Sequence, residues 1–146
     1  MIVLQGEMKM GNVYAEITLK NVGDLYLVKN GYLEESSVRA TTVNALVDTG
    51  AWTLVINEAV REKLGLEVRE DDWATMANGV MERVKKVEPV EVHWESRTMT
   101  CQPVLLPEAD EILLGAIPLE DMDLLVDPNN QELVVRSHED RKYRRI

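Results

Sequence analysis

Val13, Ala15, Ile17 and Leu19 alternate with polar residues, the two-residue period of a strand buried on one face. Asp24 to Lys29 continues as a second strand, and Asn30-Gly31 marks a turn after it. Val38 to Val47 reads as a returning strand that becomes wholly apolar at Ala45-Leu46-Val47, the signature of burial on both faces. Leu54-Val55-Ile56 follows. Asn57 then supplies an N-cap, Glu58 to Leu64 a helix and Gly65 its stop. Val68 to Val87 predicts a hairpin with Asn78-Gly79 at its tip. Val90, Val92 and Trp94 alternate again, and Glu95-Ser96 turns the chain into a strand from Thr98 to Leu106. After an acidic loop, Glu108 to Glu111, come Ile112-Leu113-Leu114-Gly115 and a short helix around Pro118 to Met122. Leu124-Leu125-Val126 and Glu132 to Val135 pair across Pro128-Asn129-Asn130. Many short strands with one or two short helices predict a mainly β barrel or sandwich.

Composition narrows the function classes. The chain has 146 residues, enough for one domain with its own core. It lacks Phe, so that core is aliphatic. A formal charge of -10 repels phosphate backbones and argues against nucleic acid as a partner. From Arg136 onward the balance reverses, with five basic residues against two acidic ones. This tail is either a solvated end or a segment that docks on the acidic body. The domain is expected over residues 8–136, with a polar basic tail over 137–146. Met8 or Met10 is an alternative natural start, since the first clear strand begins only after Gly11. One cysteine, Cys101, allows no intrachain disulfide, which fits a reducing cytoplasm. Nothing resembles an export signal or a membrane span, so no membrane partner is expected. Two histidines and one cysteine offer no zinc-ligand spacing, and no glycine-rich phosphate loop occurs. No metal or cofactor is expected.

One place breaks the local pattern. The apolar strand Ala45-Leu46-Val47 ends in Asp48-Thr49-Gly50-Ala51. A carboxylate at the end of a buried strand is costly unless something holds it. Gly50 lets the backbone turn and point amides at the acid, and the Thr49 hydroxyl can bond to another backbone. Taken locally, Asp48 is either an acid ending a strand at a turn or one held rigidly at the floor of a cleft.

The stretch Ala45 to Leu66 resembles the retroviral-type (retropepsin-like) aspartic proteases, especially their bacterial and archaeal relatives. In that family an acid-Thr/Ser-Gly-Ala precedes a short apolar strand and a helix ending in Leu-Gly-Leu. Leu113-Leu114-Gly115-Ala116 matches the family's second element, two apolar residues and a glycine ahead of a helix. Thr75-Met76-Ala77-Asn78-Gly79-Val80 stands where the family has its flap. The flap there is often richer in Gly, or carries Asp where Asn78 stands. The resemblance spans roughly Val13 to Val135 and implies a retropepsin-like, acid-protease β-barrel.

It also implies the chemistry. Peptide hydrolysis in this family uses two close carboxylates that share one proton, because both cannot ionise together. One takes a proton from the attacking water, and the other polarises the scissile carbonyl. The chain has a single Asp-Thr-Gly. Asp127, ahead of Pro128-Asn129, reads as a turn former, and Asp71, Asp72, Asp110 and Glu111 lie on segments expected to be exposed. The second carboxylate is therefore expected to be Asp48 of another copy, placed on the axis of a two-fold homodimer, with Thr49 hydroxyls bonding across it.

Met76, Ala77, Asn78 and Gly79 are the candidate flap and substrate-binding residues, with Met76 either flanking peptide or packing the hairpin. Leu114 and Gly115 are expected beneath the catalytic loop, where a Cβ on Gly115 would collide. A hydroxyl at position 51 would favour the charged carboxylate, and Ala51 cannot supply one. We therefore expect activity at mildly acidic to near-neutral pH. Trp52 is placed in the cleft, at the dimer interface or in the core. The competing reading is a catalytically silent domain that dimerises or binds extended peptide by strand addition.

Overall fold

The computed structural model describes residues 11–136. The possible starts at Met8 and Met10 and the basic tail over 137–146 lie outside these residues. Among the described residues the fold is mainly β. A nine-stranded sheet runs in the order β4 (Val68–Thr75), β5 (Met81–Val87), β8 (Val104–Leu105), β3 (Val55–Ile56), β9 (Leu113–Leu114), β2 (Ala40–Val47), β1 (Tyr14–Asn21), β6 (Val90–Trp94), β7 (Arg97–Cys101), and β10 (Leu124–Asp127) and β11 (Glu132–Val135) form a separate two-stranded sheet.

Strand β1 (Tyr14–Asn21) pairs antiparallel with β2 (Ala40–Val47) and, on its other side, with β6 (Val90–Trp94). Its alternation is the one read from the sequence, with Ala15, Ile17 and Leu19 buried. These residues meet Leu54, Ile56, Leu64, Leu66, Val87, Val90, Val92 and Leu114 in the main core, all of them fully buried. Each fully buried Leu or Ile there contributes roughly 1.5–3 kcal/mol of transfer free energy. In β2, Ala45 is fully buried, whereas Leu46 and Val47 are half-buried.

The strand expected over Asp24 to Lys29 is instead a helix, α1 (Val22–Lys29). Asn21 caps it, its side-chain oxygen accepting from the Asp24 N–H at 2.9 Å, and its amide donates to the Leu64 carbonyl at 2.8 Å. Asp24 lies in the first turn and is buried. It is held there by Arg39, whose backbone N–H, Nε and Nη2 donate to it at 2.9, 2.8 and 2.9 Å. Hydrogen bonding from the Arg39 guanidinium keeps the Asp24 carboxyl below its ordinary range, against the opposing pull of burial. A group with a depressed folded-state pKa stabilises above its unfolded value and loses that contribution as pH falls through the folded one. Asp24→Asn should therefore cost about 2 kcal/mol at neutral pH, with the gap to wild type closing as pH falls below about 4. Urea unfolding at pH 7 and pH 3 reads this directly. A gap that persisted at low pH would show that packing, rather than charge, holds α1.

Helix α2 (Glu58–Leu64) keeps its expected limits. The Asn57 side chain accepts from the Val60 N–H, and Gly65 ends the helix at φ +64°. The strand expected from Thr98 to Leu106 is broken. β7 (Arg97–Cys101) lies at one edge of the sheet, while β8 (Val104–Leu105) sits between β5 and β3. Pro103 has no N–H to continue a ladder, and its carbonyl accepts from Val87 at 3.1 Å. The last helix, α3, spans Ala116–Asp121, beginning earlier than expected. Pro118 stands in its first turn, where a missing N–H leaves no gap. β10 (Leu124–Asp127) and β11 (Glu132–Val135) pair as expected.

Candidate active site

Strand β2 delivers Asp48 to the end of the sheet, and a short strand holds it there. β9 (Leu113–Leu114) runs parallel to β2, with Leu46 opposite Leu113 and Val47 opposite Leu114. The Asp48 N–H donates to the Leu114 carbonyl at 3.0 Å, and the Ala51 N–H closes the turn onto the Asp48 carbonyl at 3.1 Å. The Asp48 side chain bends back over that turn, its Oδ1 accepting from the Gly50 N–H at 3.0 Å. Asp48 is only 8% exposed. A carboxylate so placed needs charge-assisted bonds from fixed donors, and the Gly50 amide is one.

The far side of the turn is clamped by the start of α3. The Ala116 N–H donates to the Ala51 carbonyl at 2.8 Å, and the Ile117 N–H donates to the Trp52 carbonyl at 3.0 Å. Gly115 sits between these bonds. A Cβ there would stand 2.4 Å from the Thr53 carbonyl oxygen and 2.5 Å from that of Ala51. The segment Leu114-Gly115-Ala116 thus grips the Asp48 turn on entry and on exit.

The hairpin of β4 (Val68–Thr75) and β5 (Met81–Val87) forms the neighbouring wall. At its tip the Met76 N–H donates to Val80 at 2.8 Å and the Gly79 N–H to Met76 at 2.9 Å. The Asn78 side-chain Oδ1 accepts from the Val80 N–H at 2.9 Å. Gly79 adopts φ +84°, a conformation glycine takes without strain. Met76 and Ala77 line an apolar hollow that they share with Ala51 and Trp52. Asn78 and Gly79 make the turn and do not line it. Thr49 borders a different recess, with Ala116, Leu119, Glu120, Leu124 and Arg136.

Further walls of the hollow come from residues that the sequence marks only as strand or core positions, Val55, Val84, Val104 and Leu106, and from Leu113 of the Leu-Leu-Gly element. Apolar alternation carries no signal that separates a pocket wall from core. Trp52, just beyond the turn, is the one with a positional hint.

Several other titratable groups are engaged elsewhere. Asp127 accepts from the N–H groups of Asn129 and Asn130, both at 3.2 Å, and shapes their turn. Asp71 pairs with Arg83 and Lys85, and Asp72 with Lys86. Burial pushes the Cys101 thiol up to about 12, so it stays protonated at neutral pH. His93 bonds to Glu91 at 2.6 Å and faces Thr98 in the sheet, while Cys101 faces Val90. A Cys101–His93 nucleophilic pair is therefore not formed. Among the described residues, no group of three or more His, Cys, Asp or Glu side chains could hold a metal ion. Among the same residues, no helix is long and apolar enough to cross a membrane.

A family model described as gag-polyprotein putative aspartyl protease matches residues 35–132. A comparison with curated proteins finds no match. Among solved structures, the retroviral protease-like domain of Ddi1 from Leishmania major is similar, with a TM-score of 0.52 and 17% identity, covering 85% of this chain and 87% of that one. The EIAV protease, solved in complex with the inhibitor HBY-793, aligns at 19% identity over 82% of this chain and 93% of that one, with a TM-score of 0.48. The likeness to the Ddi1 domain is one of fold. The family match takes in the Asp48 turn, the hairpin and the Leu114-Gly115 clamp, and it covers more than half of the 146 residues. The chain thus belongs to the gag-polyprotein putative aspartyl protease family and has a retropepsin-like fold.

Proposed function

We propose that this protein is an aspartic endopeptidase that works as a homodimer, with one Asp48 from each subunit. The observation that carries this reading is the Asp48 turn: a buried carboxylate, bonded by the Gly50 amide and gripped by a second strand, beside an apolar hollow. A single carboxylate cannot be both base and acid in one attack, and Asp71, Asp72 and Asp127 are committed to other bonds. The partner carboxylate then comes from a second copy. A two-fold axis beside the turn brings the two acids together, and the recess bordered by Thr49 lies on the same loop. Water held between the carboxylates loses its proton to the ionised acid, while the protonated acid polarises the peptide carbonyl.

In this scheme Thr49, Gly50 and Ala51 shape the loop, and Leu114 and Gly115 support it from below. Met76 and Ala77 cover the peptide, with Asn78 and Gly79 forming the tip of the flap over residues 76–79. No cofactor takes part. The domain is assigned to residues 8–136, and the absence of a disulfide suits work in the cytoplasm. The test combines sedimentation with peptide cleavage, and includes a statine-type inhibitor. A dimer that cleaves peptides and is blocked by the inhibitor is expected. A monomer that cleaves nothing at micromolar concentration would defeat the proposal.

The absence of a hydroxyl at Ala51 bears on pH. A dyad without that donor should work between mildly acidic and near-neutral pH. A cleavage profile peaking only in strong acid would contradict this.

A further inference from the structure

We propose that Glu111, held in place by the Tyr14 hydroxyl, is an anionic specificity-determining residue that selects peptides carrying Lys or Arg near the cut. The inference rests on the peptidase reading for its substrate class.

Strand register places the pair. On β2, Leu46 stands opposite Tyr14 of β1 on one side and opposite Leu113 of β9 on the other. Residues directly opposite one another point to the same face of a sheet, and so do residues two apart along a strand. Leu113 lines the hollow, so Tyr14 and Leu46 share its face. Glu111 lies two residues before Leu113, and Asp48 two residues after Leu46. The ladder runs on through both, from the Leu46 N–H to the Ile112 carbonyl at 2.8 Å and from the Asp48 N–H to the Leu114 carbonyl. The Tyr14 hydroxyl donates to Glu111 Oε1 across Leu46. That carboxylate therefore stands on the same face as Asp48, two residues back and one strand over, roughly 10 Å away. The apolar hollow occupies the other flank, over β9 and β3.

The bonding of Glu111 decides what it can recognise. The carboxylates of Asp24, Glu58, Asp71 and Asp72 are each paired with an Arg or Lys that offsets their charge. Glu111 is fixed instead by a neutral hydroxyl, and among the described residues no cation pairs with it. The bond to Glu111 chiefly raises the Tyr14 hydroxyl above its ordinary range, so Tyr14 remains a neutral donor at working pH. Glu111, expected on an exposed segment, is half-buried, while Tyr14 beside it is 41% exposed. The result is a carboxylate in a set position whose charge no neighbouring cation offsets. Such a group is preorganised for a charge-assisted bond to an ammonium or guanidinium and repels Asp and Glu. An extended peptide advances about 3.3 Å per residue, so the basic side chain that meets Glu111 belongs to one of the roughly three residues nearest the cut. The overall charge of -10 draws basic peptides toward the protein, but that attraction is screened over about 8 Å. Selection inside the cleft therefore falls to Glu111, and a bond of this kind gives discrimination of about tenfold.

The test profiles cleavage of a proteome-derived peptide library by the full-length protein, reading the residues around each cut by mass spectrometry. Wild type should enrich Lys and Arg at one position near the cut, and Glu111→Gln should reduce that enrichment about tenfold. Glu111→Lys should move the preference at the same position toward Asp and Glu, a gain that damage to the fold cannot produce. Tyr14→Phe, which keeps the charge and removes its tether, should lower the enrichment about threefold. Glu95→Gln removes the same charge from an exposed turn and should leave the profile unchanged. The second arm needs no hydrolysis: immobilised Asp48→Asn protein is panned against the same library, with and without Glu111→Gln. Basic peptides retained only when Glu111 is present uphold the inference even if wild type cuts nothing, and in that case the peptidase reading alone fails. Cleavage whose profile is indifferent to Glu111→Gln and Glu111→Lys overturns the inference and leaves the peptidase reading standing. Retention of no basic peptides by a protein that also cuts nothing overturns both.

Discussion

Asp48→Asn is expected to abolish peptide hydrolysis, lowering kcat by about 10⁴-fold or more. Asn has nearly the shape of Asp, and its amide oxygen can still accept from the Gly50 N–H at the 3.0 Å that Oδ1 does. The fold should therefore survive, and thermal melting should show it. What is lost is the proton exchange, since an amide neither accepts a proton from water nor donates one as an acid at working pH. The dimeric part of the reading is tested by mixing. If each site needs two intact Asp48 residues, an equal mixture of wild type and Asp48→Asn that has exchanged subunits should keep about a quarter of the activity. If each chain carried a complete site, about half would remain. A decline linear in the wild-type fraction would therefore remove the pairing of two Asp48 residues while leaving the residue itself catalytic.

The second large effect is expected at Gly115, where Ala should unfold the clamp. The added Cβ would lie 2.4 Å from Thr53 O, 2.5 Å from Ala51 O and 2.8 Å from Thr53 N. All three are backbone atoms, so no rotamer change relieves the overlap. Moving Ala51 also means loosening its bond from the Ala116 N–H, one of the contacts that hold the Asp48 turn. Overpacking of this kind costs about 3 kcal/mol or more, which lowers Tm on the order of 10 °C in a domain of this size. Activity should fall further than the folded fraction does, because a displacement of about 1 Å at the turn moves the carboxylate off its attack geometry. Calorimetry and cleavage at a temperature where the variant is folded separate the two losses. A Gly115→Ala protein with wild-type Tm would mean that the backbone of residues 51–53 yields easily.

Elements fixed by neighbours in sequence were legible before the structure. Helix α2 is an example: Asn57 and Gly65 cap it with bonds that span a few residues. The tip at Asn78-Gly79 and the turn at Glu95-Ser96 are local in the same way. Helix α1 is not legible locally, because its stabilising partner is remote. The apolar residues Leu25, Tyr26, Leu27 and Val28 suit a strand, and Tyr26 and Leu27 remain exposed in the helix. The helix depends on Asp24 meeting Arg39, which belongs to the far side of the connection to β2. Pro103, with no N–H to continue a ladder, marks the break between β7 and β8.

By itself, the sequence determined that an acid ends an apolar strand, followed by Thr49-Gly50-Ala51, and that a Leu-Leu-Gly element and a hairpin occur later in the chain. It determined these because side-chain period, capping and turn residues act over a few positions. Only the tertiary structure decided how they meet. It set Leu114 and Ala116 on either side of the Asp48 turn, closed the space over Gly115, and collected Trp52, Met76 and Leu113 around one hollow. Those relations come from strand pairing between distant segments and from close packing, and both are properties of the folded chain in space.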